Sequence, residues 1–149
     1  MQILTEIEIN ADADKIWQTV VDFAAYDSWN PVIQKVTGVP HKGDMVSFSV
    51  VAFPGVLLPI VACKVLVADP KERHLRWKGP DMNVVKDILS GEHFFIVQEK
   101  APGKCRFIHG ENFTGLVAPL LRPLLETRIT SLYDQMNQAL KVRCEGYST

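Results

Sequence analysis

Apolar residues recur at every second position through most of this chain, and at every third or fourth position through its last fifth. The alternation predicts strands, because successive side chains of a strand point to opposite faces. It runs over 2–10, 32–39, 43–53, 59–68, 73–78, 88–99 and 104–114, separated by breakers such as Pro54-Gly55, Asp69-Pro70 and Ala101-Pro102-Gly103. Within these runs Val46, Phe48, Val50 and Ala52 share one face, as do Val61, Cys63, Val65 and Val67. So do Leu75 and Trp77, then His93, Phe95 and Val97, and then Phe107, His109, Glu111 and Phe113. Two short helical stretches follow the first strand. One carries Ala13, Ile16, Trp17, Val20 and Val21, and the other spans 24–29 and stops at Asn30-Pro31. At the end, Leu121, Leu125, Ile129, Leu132, Met136 and Leu140 fall on one side of a helix within 116–145. Glu126, Thr130, Asp134, Asn137, Gln138 and Lys141 fall on the other. Arg128 interrupts the apolar face between Leu121, Leu124 and Leu132, and Gln135 lies at its edge.

A long helix with a broad apolar face needs a large partner, and the rest of the chain offers a sheet. Short turns between consecutive strands imply an antiparallel meander. The expected fold is α+β: a seven-stranded curved antiparallel sheet wrapped around one C-terminal helix, with two short helices after strand 1. No linker, repeat or composition break divides 1–149, which reads as one domain.

Composition removes several functions. With 16 basic and 17 acidic residues and no basic run, there is no electrostatic footprint for nucleic acid. No apolar run approaches the roughly 18 residues of a membrane span, and no signal peptide is visible. Three scattered cysteines, Cys63, Cys105 and Cys144, suit a reducing cytoplasm and small packed side chains better than a disulfide framework. No His, Cys or Asp/Glu spacing marks a metal site, and no Gly-rich loop marks a phosphate site, so neither metal nor cofactor is expected.

Four stretches carry a resemblance. They are the opening strand and helix through Ile16-Trp17; Tyr26-Asp27-Ser28-Trp29-Asn30-Pro31; Leu75-Arg76-Trp77; and Gly91-Glu92-His93 with His109-Gly110-Glu111-Asn112-Phe113-Thr114-Gly115, running into the Leu-rich helix. In these, and in their order along the whole chain, the sequence resembles the SRPBCC superfamily (START, pathogenesis-related and polyketide cyclase/dehydrase proteins), in particular its polyketide cyclase-like bacterial members. The resemblance implies a helix-grip fold with a deep hydrophobic cavity. Members bind lipids, sterols, hormones or polyketides, and a minority catalyse cyclisation, dehydration or hydrolysis.

The chemistry-bearing residues follow from the inner faces. His93, His109 and Glu111 lie on adjacent strands, where a His beside a carboxylate can act as a general base. Arg128, buried by its helix position, needs a partner, and Glu111 is the first choice. Phe48, Val50, Cys63, Trp77, Phe95, Phe107, Phe113, Leu121, Arg128, Leu132 and Met136 are the expected ligand-lining residues. Trp17 is read as core and Trp29 as the lock of the Trp-Asn-Pro turn, while His41 and His74 have no role. The connections 53–59 and 79–87 carry Val56, Leu57, Leu58, Met82, Val84 and Val85, and would frame the entrance. The leading expectation is binding of a small hydrophobic ligand, lipid-, sterol- or polyketide-like. The rivals are a cyclase, dehydratase or hydrolase using the His/Glu pair, and an interaction module. Besides the ligand, the one partner admitted is a second copy of the chain, as a homodimer.

Overall fold

A computed structural model describes residues 1–146; the remainder of the expected domain, 147–149, lies outside the described residues. Seven strands form one antiparallel sheet: β1 (Gln2–Ile9), β2 (Ile33–Thr37), β3 (Met45–Phe53), β4 (Val56–Asp69), β5 (His74–Gly79), β6 (Ser90–Ala101) and β7 (Lys104–Thr114). Their order across the sheet is β1-β7-β6-β5-β4-β3-β2, so β1 joins the last strand of the meander and lies at the edge opposite β2. Helix α1 (Ala13–Val21), a 3-10 turn (Phe23–Ala25) and α2 (Tyr26–Trp29) connect β1 to the far edge. A short α3 (Val85–Ile88) precedes β6, and α4 (Ala118–Glu145) ends the described chain. This is the helix-grip arrangement, and among the described residues no helix is long and apolar enough to cross a membrane.

Two irregularities in β4 bend the sheet and change which residues face inward. Val46 pairs with Cys63 but Phe48 pairs with Ile60, so β4 carries one extra residue between them, with Ala62 in a left-handed conformation (φ 55°). A second extra residue lies between Val65, opposite Trp77, and Val67, opposite Arg76. Each bulge reverses the side-chain alternation. The face expected for Val61, Cys63, Val65 and Val67 is therefore split. Cys63 and Val65 are buried, Ile60 takes the inward place opposite Phe48, and Val61 is 49% exposed. The connection expected over 53–59 is a tight hairpin. Phe53 pairs with Val56 across Pro54-Gly55, Gly55 supplies the positive φ (75°), and the strand resumes at once.

Helix α4 spans roughly 42 Å at 1.5 Å per residue. It packs on β1 and β7, with α1 and α2 at its flank. Gly146 ends it in the left-handed conformation, its N–H bonding the Val142 carbonyl. The last turns are tied to β1: Lys141 Nζ donates to the Glu8 carbonyl (2.9 Å), and Glu145 accepts from the Asn10 N–H (2.8 Å). At the other end α3 braces the start of α4. The N–H groups of Leu116 and Val117 donate to the carbonyls of Asp87 and Ile88, both at 3.1 Å.

Candidate functional site

Strand register brings the inward polar residues into one row. Trp77 lies opposite His93, and His93 opposite Glu111. Phe95 lies opposite His109, and Val97 opposite Phe107. Helix α4 lays Leu132, Tyr133, Met136 and Asn137 over this row, all buried. The His109 ring stacks on Tyr133 (centroids 4.0 Å apart), and His93 stacks on Trp77 (5.0 Å).

One continuous set of hydrogen bonds runs through the row. Thr5 Oγ1 donates to the His109 carbonyl (2.9 Å) and receives Asn137 Nδ2 (2.9 Å). Asn137 Oδ1 faces His109 Nδ1 at 2.8 Å, and His109 Nε2 faces His93 Nε2 at 2.8 Å. His93 Nδ1 lies 3.2 Å from Tyr133 Oη and 3.5 Å from Glu111 Oε2, and Tyr133 donates to Glu111 Oε2. Every member with a buried polar atom thus finds a partner within the row, as buried polar groups must.

Burial sets the electrostatics. The fully buried His109 is held well below the ordinary imidazole range, first by desolvation and then by the neighbouring His93, although Asn137 opposes this. Tyr133 is pushed well above the usual phenol range by burial, then by the Glu111 charge and the bond to it. The Cys63 thiol is pushed up to about 12 by burial and then by Glu111, which makes it a poor nucleophile. Exposure rises along the row toward one end: the side chain of His93 is 6% exposed and that of Glu111 15%.

The expected residues separate into two groups. Cys63, Trp77, Phe95, Phe107, Leu132 and Met136 are sealed among one another with His93 and His109. Phe48 and Phe113 sit at the margin of that core; Val50 and Leu121 are half-buried. Ile60, Leu89, Leu125 and Ile129 are half-buried against the same core. Arg128 does not meet Glu111. Its Nε donates to the Ala52 carbonyl (2.7 Å), Nη2 bonds the same oxygen, and its guanidinium lies 4.5 Å above the Phe53 ring. The reason is position: Arg128 is more than one turn before Tyr133, and it is Tyr133 that stands over Glu111. Gln135, expected at the edge of the apolar face, is exposed and borders an outer groove of about 620 Å³ with Trp29 and Pro31, sharing no residue with the polar row.

Two members of the row, Tyr133 and Asn137, are not among the residues expected from the sequence, and Asn137, expected on the outer face, is 1% exposed. The signal is in the spacing: Tyr133 is four residues after Ile129, and Asn137 four after Tyr133 and seven before Cys144, so both fall along the margin of the apolar stripe. Trp29 does not lock its turn alone. Asn30 Oδ1 accepts the N–H groups of Val32 and Ile33, both at 2.9 Å.

The polyketide cyclase/dehydrase and lipid transport family model matches residues 2–145. Among solved structures, the aromatase/cyclase ZhuI of Streptomyces sp. R1128 is similar with a TM-score of 0.78 at 15% identity, over 97% of this chain and 93% of that one. A START superfamily protein from Mycobacterium smegmatis is similar with a TM-score of 0.76 at 19% identity, over 99% of each chain. A protein from Thermus thermophilus is similar over the full length of both chains, with a TM-score of 0.76 at 14% identity. At such identities the likeness concerns the fold. None of the curated proteins matches the chain in sequence.

Proposed function

The chain belongs to the polyketide cyclase/dehydrase and lipid transport family, and from that premise we propose that it binds a small hydrophobic molecule between the sheet and the N-terminal half of α4. One observation carries this reading. Val50, Ile60, Leu89, Leu121, Leu125 and Ile129 line that region half-buried, next to the fully buried side chains of Phe95, Phe107 and Met136. Each 40 Å² of such apolar surface covered by a ligand contributes about 1 kcal/mol. The mouth is framed by Phe53, Val56 and Leu57 of the β3–β4 hairpin, by Met82 and Val84, and by Leu120 and Leu124, all exposed. Apolar rims of this kind suit entry of a lipid-, sterol- or polyketide-like cargo.

The test is titration with a lipophilic fluorescent probe, paired with native mass spectrometry of the mildly purified protein. Ile129→Trp, which fills the gap, is expected to weaken probe binding at least tenfold while the melting temperature holds. Undiminished binding to that variant, or failure of any apolar probe to bind the parent protein, would overturn the assignment.

A second reading is favoured by the cluster at the gap's inner end. Glu111, Tyr133 and His93 form an acid–base set suited to a cyclase, dehydratase or hydrolase, for which general acid–base catalysis supplies typically 10²–10⁴-fold. In that case Glu111→Gln abolishes turnover of an enolisable carbonyl compound while apolar probe affinity survives.

A further inference from the structure

The hydrogens of the polar row can be assigned one at a time from their partners. Thr5 gives its hydroxyl hydrogen to the His109 carbonyl, so it accepts from Asn137 Nδ2. Asn137 Oδ1 is then the acceptor for His109 Nδ1, which must carry a hydrogen. Buried His109 is neutral, so its Nε2 is a bare lone pair and accepts from His93 Nε2–H. At the other end three atoms meet: His93 Nδ1, Tyr133 Oη and Glu111 Oε2.

A neutral His93 and an ionised Glu111 would bring this triangle one hydrogen, that of the phenol. His93 Nδ1 would then face two oxygens with nothing between them. A buried acceptor left so costs about 1–3 kcal/mol. A second hydrogen removes the conflict in either of two places. On Glu111 Oε2, it reverses the Tyr133–Glu111 bond, so that Glu111 donates to Tyr133 Oη and Tyr133 to His93 Nδ1, and every link from there through His109 and Asn137 to Thr5 runs donor to acceptor. On His93 Nδ1, an imidazolium faces the carboxylate while Tyr133 donates to Glu111. The arrangements interconvert by moving two protons: the one on Glu111 Oε2 passes to Tyr133 Oη as the phenol's own passes to His93 Nδ1.

In both arrangements Glu111 Oε1 remains a bare acceptor. It lies over Gly91, where a side chain on that residue would collide with it. Among the described residues no side chain or backbone N–H donates to Oε1, and no cation other than His93 pairs with Glu111. The groups facing the triangle from its neighbours are Trp77 on β5, Cys63 on β4, His109 on β7 and Asn137 on α4, none of them charged.

Resting on the ligand gap proposed above, we infer that Glu111 is the polar end of that gap, that the Glu111–Tyr133–His93 triangle holds one stored proton, and that the ligand is an apolar molecule whose alcohol or phenol hydroxyl donates to Glu111 Oε1. A hydroxyl meets a carboxylate oxygen to which none of the described residues donates, whichever way the stored proton sits. An ether or hydrocarbon of the same shape leaves it unfilled.

The experiment compares 2-naphthol with 2-methoxynaphthalene on the intact protein by calorimetry, and reads the imidazole nitrogens by long-range proton–nitrogen NMR and the carboxyl by infrared difference against Glu111→Gln. The naphthol is expected to bind about tenfold tighter, equivalent to about 1.4 kcal/mol. In Glu111→Gln the preference collapses to within about twofold, because Tyr133 holds the amide carbonyl and turns the NH₂ toward the ligand. The spectra should show His109 protonated at Nδ1 alone, with the second hydrogen either on His93 Nδ1 or on the Glu111 carboxyl. Equal binding of the two probes overturns the hydroxyl subsite and leaves the gap standing. Binding of neither overturns the gap and the ligand together. A bare His93 Nδ1 beside an ionised Glu111 overturns the stored proton. Should Glu111→Gln fail to fold, the two probes on the parent protein and the nitrogen spectra decide the matter alone.

Discussion

Leu132, Met136, Leu140 and Cys144 in the C-terminal half of α4 are all buried, whereas Leu120 and Leu124 in the N-terminal half stand 80% and 62% exposed. Between them Leu121, Leu125 and Ile129 are half-buried. Leu120 and Leu124 turn away from the apolar stripe, but Leu121, Leu125 and Ile129 continue it at the spacing of Leu132, Met136 and Leu140, so for these three the helix's own pattern does not produce the difference. What lies opposite does. The C-terminal half rests on β1 and β7 and is tied to β1 by Lys141 and Glu145. The N-terminal half faces strands that the β4 bulges have bent, and Arg128 spans from it to the Ala52 carbonyl on β3. One helix thus closes a core at one end and leaves an apolar wall at the other, with the His93–Glu111 row at the junction.

The largest effect should come from cutting the closed half. Met136→Ala or Leu140→Ala removes a side chain with no exposure and should cost about 2–5 kcal/mol, read from the urea midpoint. A cost under about 1 kcal/mol would mean that this half relaxes freely, and the contrast with the open half would dissolve.

Next in size is the pH response of the junction. Folding holds His109 well below its ordinary pKa, so the unfolded chain takes up a proton that the folded protein refuses. The stability this residue contributes is complete above about pH 6.5 and is lost as the pH falls from there toward the depressed folded value. The loss approaches about 1.4 kcal/mol per pH unit within that window. Denaturation between pH 8 and pH 5 should show His109→Asn with a shallower acid slope than the parent. Identical slopes would mean that His109 titrates as an exposed imidazole does.

Arg128 tests the span between the halves. Its bonds to Ala52 are partly exposed, and Arg128→Ala should cost about 1 kcal/mol. The larger consequence is kinetic: with the span cut, a bound probe should dissociate faster in stopped flow. An unchanged dissociation rate would remove Arg128 from the ligand's path.

The closed half and the strand faces were legible in the sequence because they obey simple periods. His93, Phe95 and Val97 opposite Phe107, His109 and Glu111 fell where alternation placed them. Val61 and Val67 did not, since a bulge is one residue of backbone with no composition signal of its own. Arg128 was recognised as needing a partner, but the partner is a carbonyl at a strand end, and a carbonyl has no side-chain letter. Asn137 was misplaced for the opposite reason. A polar letter in an apolar stripe reads as surface until a buried histidine and threonine are found to meet it.

The smallest effect on stability is the sharpest test of the open half. Leu124 is mostly exposed, so Leu124→Ser removes little buried surface and should move the stability by no more than about 0.5 kcal/mol. In a protein whose leucines here were merely surface, nothing else would change. If Leu124 forms part of the mouth, a bound apolar molecule covers it, and losing some 40 Å² of that cover should weaken binding by about 1 kcal/mol, roughly fivefold. The two measurements must therefore diverge: stability flat, affinity reduced. A variant that loses stability and keeps affinity would place Leu124 in a packed core. One that loses neither would take the mouth away from this end of α4 and leave the β3–β4 hairpin as its frame.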